Sequence, residues 1–282
     1  MKRGGVLAAM LLLAACRPSV AETVLAHAKL VPPSTQLQAD VARFARVGMQ
    51  ANVVFNRLPS HKDIAVLLVD PTTDWTKLAT HNTLTLNVKD NCYTSAQGRT
   101  VVCDAGVFVA RPDAILGMPA TKAQRTAFAR WILGHELGHI ATATTGFHSD
   151  PMADASRARD LAQQRREYAA DCWMVETFDR AAPHSEQIAF EQFAIDAINE
   201  HFRVAEPNRP PGVGLLFDYT SADPYDFRAG GTHPDAMLRS IRLLHIAAET
   251  RHDAMLRSFM SPLVRKLVPD PLWTGRGPCG LS

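Results

Sequence analysis

Residues 121–146 read TKAQRTAFARWILGHELGHIATATTG, and the rest of the chain is best read outward from them. Apolar Phe128, Trp131, Ile132 and Leu137 fall along one side of a helix, the stripe expected of a helix packed on a core. Thr121 is placed to cap its first turn, with Gln124 completing a capping box, and Gly146 is placed to stop it. Within that helix residues 135–139 spell His-Glu-Leu-Gly-His. Residues four apart share a helix face, so His135 and His139 can bring two imidazoles to one ion. Glu136 lies about 100° round the helix, near enough to address a water on that ion without ligating it. Two neutral imidazoles suit Zn2+, and a three-ligand site leaves a fourth position for the water a hydrolase must activate. The spacing therefore predicts a metal, a base and a hydrolytic reaction together.

The third ligand separates the known classes of such sites. A Gly three residues and a His six residues after His139 would mark one class, and here those positions are Thr142 and Thr145. The other class takes a Glu from a following helix. The stretch 162–178 has helical character and carries Glu167-Tyr168-Ala169-Ala170-Asp171. Glu167 would complete the tripod, while Asp171, four residues on and on the same face, could accept the free N–H of a ligand imidazole. Arg165 and Arg166 alongside also suit an ordinary solvated acidic helix edge. A third segment, Gly230-Gly231-Thr232-His233-Pro234, opens a helical run over 235–248. His233 could donate to an oxyanion, and Arg239 could add positive charge or hold the carboxylates of the site. Thr-His-Pro-Asp is equally an ordinary cap and first turn.

HELGH (135–139), EYAAD (167–171) and THPDAMLR (232–239), in that order, resemble the gluzincin family of the CAAX prenyl endopeptidase, which includes bacterial envelope quality-control proteases. GRTVVCDAGV (98–107) is similar to the strand which in that family precedes the zinc helix and borders the substrate cleft. The likeness covers roughly residues 83–248. It implies His135, His139 and Glu167 as zinc ligands and Glu136 as general base. It also implies Asp171 behind a ligand, His233 and Arg239 assisting the transition state, and a polypeptide substrate. The interval between the first two motifs is shorter than most of the family has, which implies a reduced cleft wall. It also suits a related small zincin family with the same two motifs. No apolar span accompanies the catalytic helix, unlike the integral-membrane members.

The N-terminus has the form of an export signal. Lys2-Arg3 precedes an apolar run from Val6 to Ala15 that is short for a membrane span. Leu13-Ala14-Ala15-Cys16 resembles a bacterial lipobox, which implies residues 1–15 as leader and Cys16 as the lipid-bearing first residue. Cleavage after Ser19-Val20-Ala21 is the competing reading. The expectation is an exported, periplasmic protein joined to the outer membrane by a lipid anchor on Cys16. Four further cysteines in an oxidising compartment suggest disulfides. Cys92 and Cys103 flank a polar turn and suit a bridged hairpin, and Cys172 to Cys279 would then tie the tail to the Glu167 helix. Three pairings remain open, as does a role for Cys172 as a small buried hydrophobe.

A formal net charge of +2 gives no reason to expect nucleic acid as a partner. Residues 16–33 read as a linker and 34–282 as one domain. A helix is expected over 34–50 and another over 186–202, with strands at 64–69, 83–88 and 100–109. Strands clustered before helices predict an α+β, zincin-like fold: a small sheet beside a helical body carrying the HExxH helix and a following Glu-bearing helix. The Pro- and Gly-rich stretch 205–234 reads as a loop walling the cleft, with Tyr219 and Tyr225 as oxyanion candidates. The rival to an exported endopeptidase is a lipoprotein scaffold or chaperone that keeps a zinc site with little turnover.

Overall fold

The computed structural model describes residues 18–81, 88–95, 99–142, 157–205 and 236–267. These form an α+β fold, mostly helical, with one mixed four-stranded sheet. Its order is β1-β2-β4-β3, from Val53–Phe55 (β1), Ile64–Val69 (β2), Cys92–Ser95 (β3) and Thr100–Asp104 (β4). β1 with β2 and β2 with β4 run parallel, and β3 closes one edge antiparallel to β4. Every residue of β2 is buried, which a near-continuous Ile-Ala-Val-Leu-Leu-Val run requires of a strand covered on both faces.

The two faces are covered differently. Ala65, Leu67, Val69 and Val102 turn toward a small cluster built with helices α1 (Val20–His27) and α3 (Trp75–His81). The stretch expected as linker is thus part of the fold: Val20, Ala21 and Val24 are buried against the sheet, and Ser19 caps α1 with a capping box. Ile64, Val66, Leu68, Val101, Cys92 and Cys103 face the larger core. That core is shared with α2 (Thr35–Met49), α4 (Val107–Leu116), α5 (Lys122–Ala141), α6 (Arg157–Ala181), α7 (His184–Ala205) and α8 (Ala236–Thr250). A last helix, α9 (Ala254–Leu267), packs on α8.

Several boundaries depart from expectation for local reasons. β4 ends at Asp104 instead of continuing to 109. The Asp104 carboxylate accepts from the N–H of Gly106 (2.8 Å) and of Asp90 (3.1 Å), turning the chain so that the β-branched run from Val107 enters a helix. Position 88 carries no strand geometry, and residues 82–87 of the strand expected over 83–88 lie outside the described residues. α5 starts on Thr121 with the expected capping box, and its last helical residue is Ala141. Gly146 lies outside the described residues, as do residues 206–235 and with them nearly all of the expected loop.

Cys92 and Cys103 are directly opposed in the β3–β4 register and form the expected disulfide. Cys172, fully buried, is also disulfide-bonded, so it is more than a small apolar filler. Cys16 and Cys279 lie outside the described residues. A charged group also joins the helices: Arg130 on α5 donates to Asp40 on α2 (2.8 Å) and pairs with Glu186 on α7 (3.0 Å), and Arg43 bridges the same two carboxylates. Asp40 and Arg130 are buried, so losing one partner would strand a charge in the interior. No described helix is long and apolar enough to cross a membrane.

Candidate metal centre

α5 supplies His135, Glu136 and His139, and α6 crosses close against it. The crossing is tight because Gly134 and Gly138 line the contact. A β-carbon on Gly138 would sit 2.4 Å from the carbonyl oxygen of Ala170, and one on Gly134 would sit 2.6 Å from the Met174 side chain. With no side chain between the two backbones at Gly138, Glu167, one turn before Asp171, is delivered to the histidine pair.

His135, His139 and Glu167 are all buried and could hold a metal ion; among the described residues no other group of three His, Cys, Asp or Glu side chains meets that condition. The Nε2 atoms of His135 and His139 stand 3.0 Å apart. The Glu167 carboxylate is 3.1 Å from the first and 3.7 Å from the second. Metal–ligand arms of about 2.0–2.1 Å place tetrahedral ligand atoms about 3.3 Å apart. The three separations bracket that spacing, so the donor set and its geometry suit a small divalent ion. Two nitrogens and one carboxylate oxygen favour zinc-like ions over the all-oxygen shells of calcium or magnesium.

Behind the donors, Asp171 takes the position expected of it. Its Oδ1 accepts from His135 Nδ1 (2.8 Å), which fixes the ring as the Nδ1–H tautomer and leaves Nε2 for a metal. Arg239 on α8 holds the other side of Asp171, with Nε on Oδ2 (3.0 Å) and Nη2 on Oδ1 (2.6 Å). Arg239 Nη2 also lies 3.0 Å from His135 Nδ1. Two N–H groups cannot donate to each other, so both converge on Asp171 Oδ1. The Arg239 guanidinium also lies 5.2 Å from the ring of Trp131. Of the two roles expected for this arginine, the one with contacts in the structure is holding a carboxylate.

The electrostatics are balanced by opposing causes. Burial and Arg239 both disfavour a charged His135, yet Asp171 and Glu167 outweigh them and the imidazole is pushed up to about 9. A metal must therefore displace a proton to take that nitrogen. Burial alone would raise Glu167, but the imidazoles of His135 and His139 beside it hold it well below the usual carboxylate range. Asp171, against the same cost of burial, is held low by Arg239 and His135.

Glu136 is buried beside the ligand pair, and its Oε2 accepts a hydrogen bond from Thr94 on β3. The sequence reading missed Thr94. A usable signal existed: Thr94 stands two residues from the core-facing Cys92, so its hydroxyl shares that inward face. Gly134 and Gly138, four apart on the HExxH helix, were a second unread signal. His233 lies outside the described residues, as do Tyr219 and Tyr225.

Comparison with protein-family models, with curated proteins and with solved structures finds no match to this chain.

Proposed function

We propose that this protein is an exported zinc-dependent endopeptidase of gluzincin type. The observation that carries the reading is the meeting of three buried donors from two helices at metal-binding distances, with a second glutamate, Glu136, beside them and outside the donor set. A bound zinc would supply Lewis-acid charge to a carbonyl and lower the pKa of a water.

The chain's own groups account for the remaining work. Glu136 takes the proton of the attacking water and returns it to the leaving amine, a role that needs a carboxylate not consumed as a ligand. Asp171 keeps His135 in the tautomer whose Nε2 faces the ion, and Arg239 keeps Asp171 ionised and oriented. The motif order shared with the CAAX prenyl endopeptidase family supports a peptide substrate, and β3, an edge strand among the described residues, offers main-chain groups for an extended chain. Such side-chain-tolerant binding would suit clearance of unfolded envelope proteins, a role that the family resemblance suggests.

Export with a lipid anchor on Cys16 is part of the proposal. Cleavage after Ala21 would cut within α1, whose Val20, Ala21 and Val24 are buried, whereas cleavage before Cys16 leaves that helix whole. The disulfide between Cys92 and Cys103 also suits an oxidising compartment.

The test is elemental analysis of the mature protein beside Glu136→Gln and Glu167→Ala, with peptide cleavage scored on the same samples. The expected result is one zinc per chain in wild type, zinc kept but cleavage lost in Glu136→Gln, and weakened zinc binding in Glu167→Ala. Wild-type protein that retains no zinc after dialysis against it would overturn the reading.

A further inference from the structure

The proposed base is a glutamate, with three rotatable side-chain bonds, and a base acts only when its carboxylate stands where the proton is released. Ligand residues are fixed by the metal and by their partners; Glu136 has no metal to hold it. What it has is Thr94. The Thr94 hydroxyl donates to Glu136 Oε2 and lies 3.2 Å from the Glu136 carbonyl oxygen. A hydroxyl carries one hydrogen, and an ionised carboxylate is the stronger of these two acceptors.

Thr94 is itself a fixed point. It sits in the middle of β3, opposite Val101 of β4. The Cys92–Cys103 bridge ties the same two strands two residues away, on the face that looks at α5. Thr94 and Glu136 are both buried, so water competes weakly for the contact. The position would otherwise take an apolar residue, as its neighbours on that face do: Cys92, Val101 and Cys103 all belong to the core. A hydroxyl placed there and spent on the carboxylate beside the ligand pair that neither ligates nor backs a ligand has a purpose beyond packing.

We infer that Thr94 is a positioning residue for the general base, holding the Glu136 carboxylate in its working rotamer from the sheet edge. The inference rests on the endopeptidase reading above for its catalytic meaning, though the contact itself does not.

Thr94→Val removes the hydroxyl and keeps the shape and strand preference of the side chain; Thr94→Ser keeps the hydroxyl and removes a methyl. In Thr94→Val, kcat is expected to fall by about 10- to 100-fold, the cost of a misplaced catalytic group. KM, zinc content and melting temperature stay near wild type. Thr94→Ser recovers most of kcat, and Thr94→Val added to Glu136→Gln lowers turnover no further. Crystal structures of the zinc-loaded variants should show Glu136 turned from β3 in Thr94→Val and retained in Thr94→Ser. Undiminished kcat in Thr94→Val, or a loss confined to KM or zinc content, overturns the inference. Should wild type hold zinc and cleave no peptide, the endopeptidase reading falls by itself. The crystal structures then decide the inference: an unmoved Glu136 in Thr94→Val overturns it, and a turned one sustains it.

Discussion

Asp171 shows how much of a candidate metal site is built by residues outside its donor set. It is buried, carries a charge, and is acceptable there only because His135 and Arg239 together satisfy both oxygens. Removing the charge while keeping the shape separates its electrostatic role from its packing. Asp171→Asn is expected to weaken zinc binding by about 10- to 100-fold, the usual cost of losing such a partner. Competition against a chromophoric chelator measures it, and unchanged affinity would show that His135 needs no carboxylate behind it. Arg242, one turn beyond Arg239 on α8, is a different case. It stacks over Tyr168 at 3.6 Å, and burial pushes it down to about 10. Among the described residues its Nε and Nη2 are buried without a hydrogen-bond partner, and interactions with Tyr168 and Asp171 offset part of that cost.

At the scale of elements, the site depends on how closely α5 and α6 approach. Gly138→Ala places a methyl group against the Ala170 backbone, which cannot rotate aside as a side chain could. The helices must part, and Glu167 must move from the histidine pair. The expected outcome is a loss of about 1–3 kcal/mol of stability, typical of overpacking, with zinc affinity falling in step. Chemical denaturation and zinc titration on one preparation check it; a variant of wild-type stability and affinity would show that the spacing has slack. The same crossing explains what could and could not be read in the sequence. His135, His139, Glu167 and Asp171 were legible because helix periodicity alone relates residues four apart, and because a donor set has recognisable chemistry. Thr94 was harder to find because the contact joins a strand and a helix that are 42 residues apart in the chain. The run from Val107 misled because its β-branched residues carry strand preference, and the turn that overrides it is made by one carboxylate, Asp104. Val20–His27 was read as linker because an eight-residue helix leaves little periodicity to read, and its burial depends on a sheet that comes later in the chain.

On the scale of the molecule, the two ligand-bearing helices share a core that does not depend on the ion. Phe128, Leu133 and Leu137 of α5 pack in one cluster with Cys172, Val175 and Phe178 of α6. A bound metal would then add binding energy to a structure already held by burial, in contrast to small domains that fold only around zinc. Chelation is expected to leave the far-ultraviolet circular dichroism unchanged at room temperature. It should lower stability by the linkage amount, about 4 kcal/mol where free zinc had been about 1,000 times Kd. Collapse of the helical signal on chelation would contradict this. A scaffold of this kind also has little say over which of the zinc-like ions it receives. Its donors are positioned by Asp171, Arg239 and a glycine-lined crossing, so the fold sets the shape of the site and leaves the choice of occupant to affinity and supply. Nitrogen and carboxylate donors bind copper more tightly than zinc. A metal held there would therefore report the ion supply of the compartment in which it was loaded.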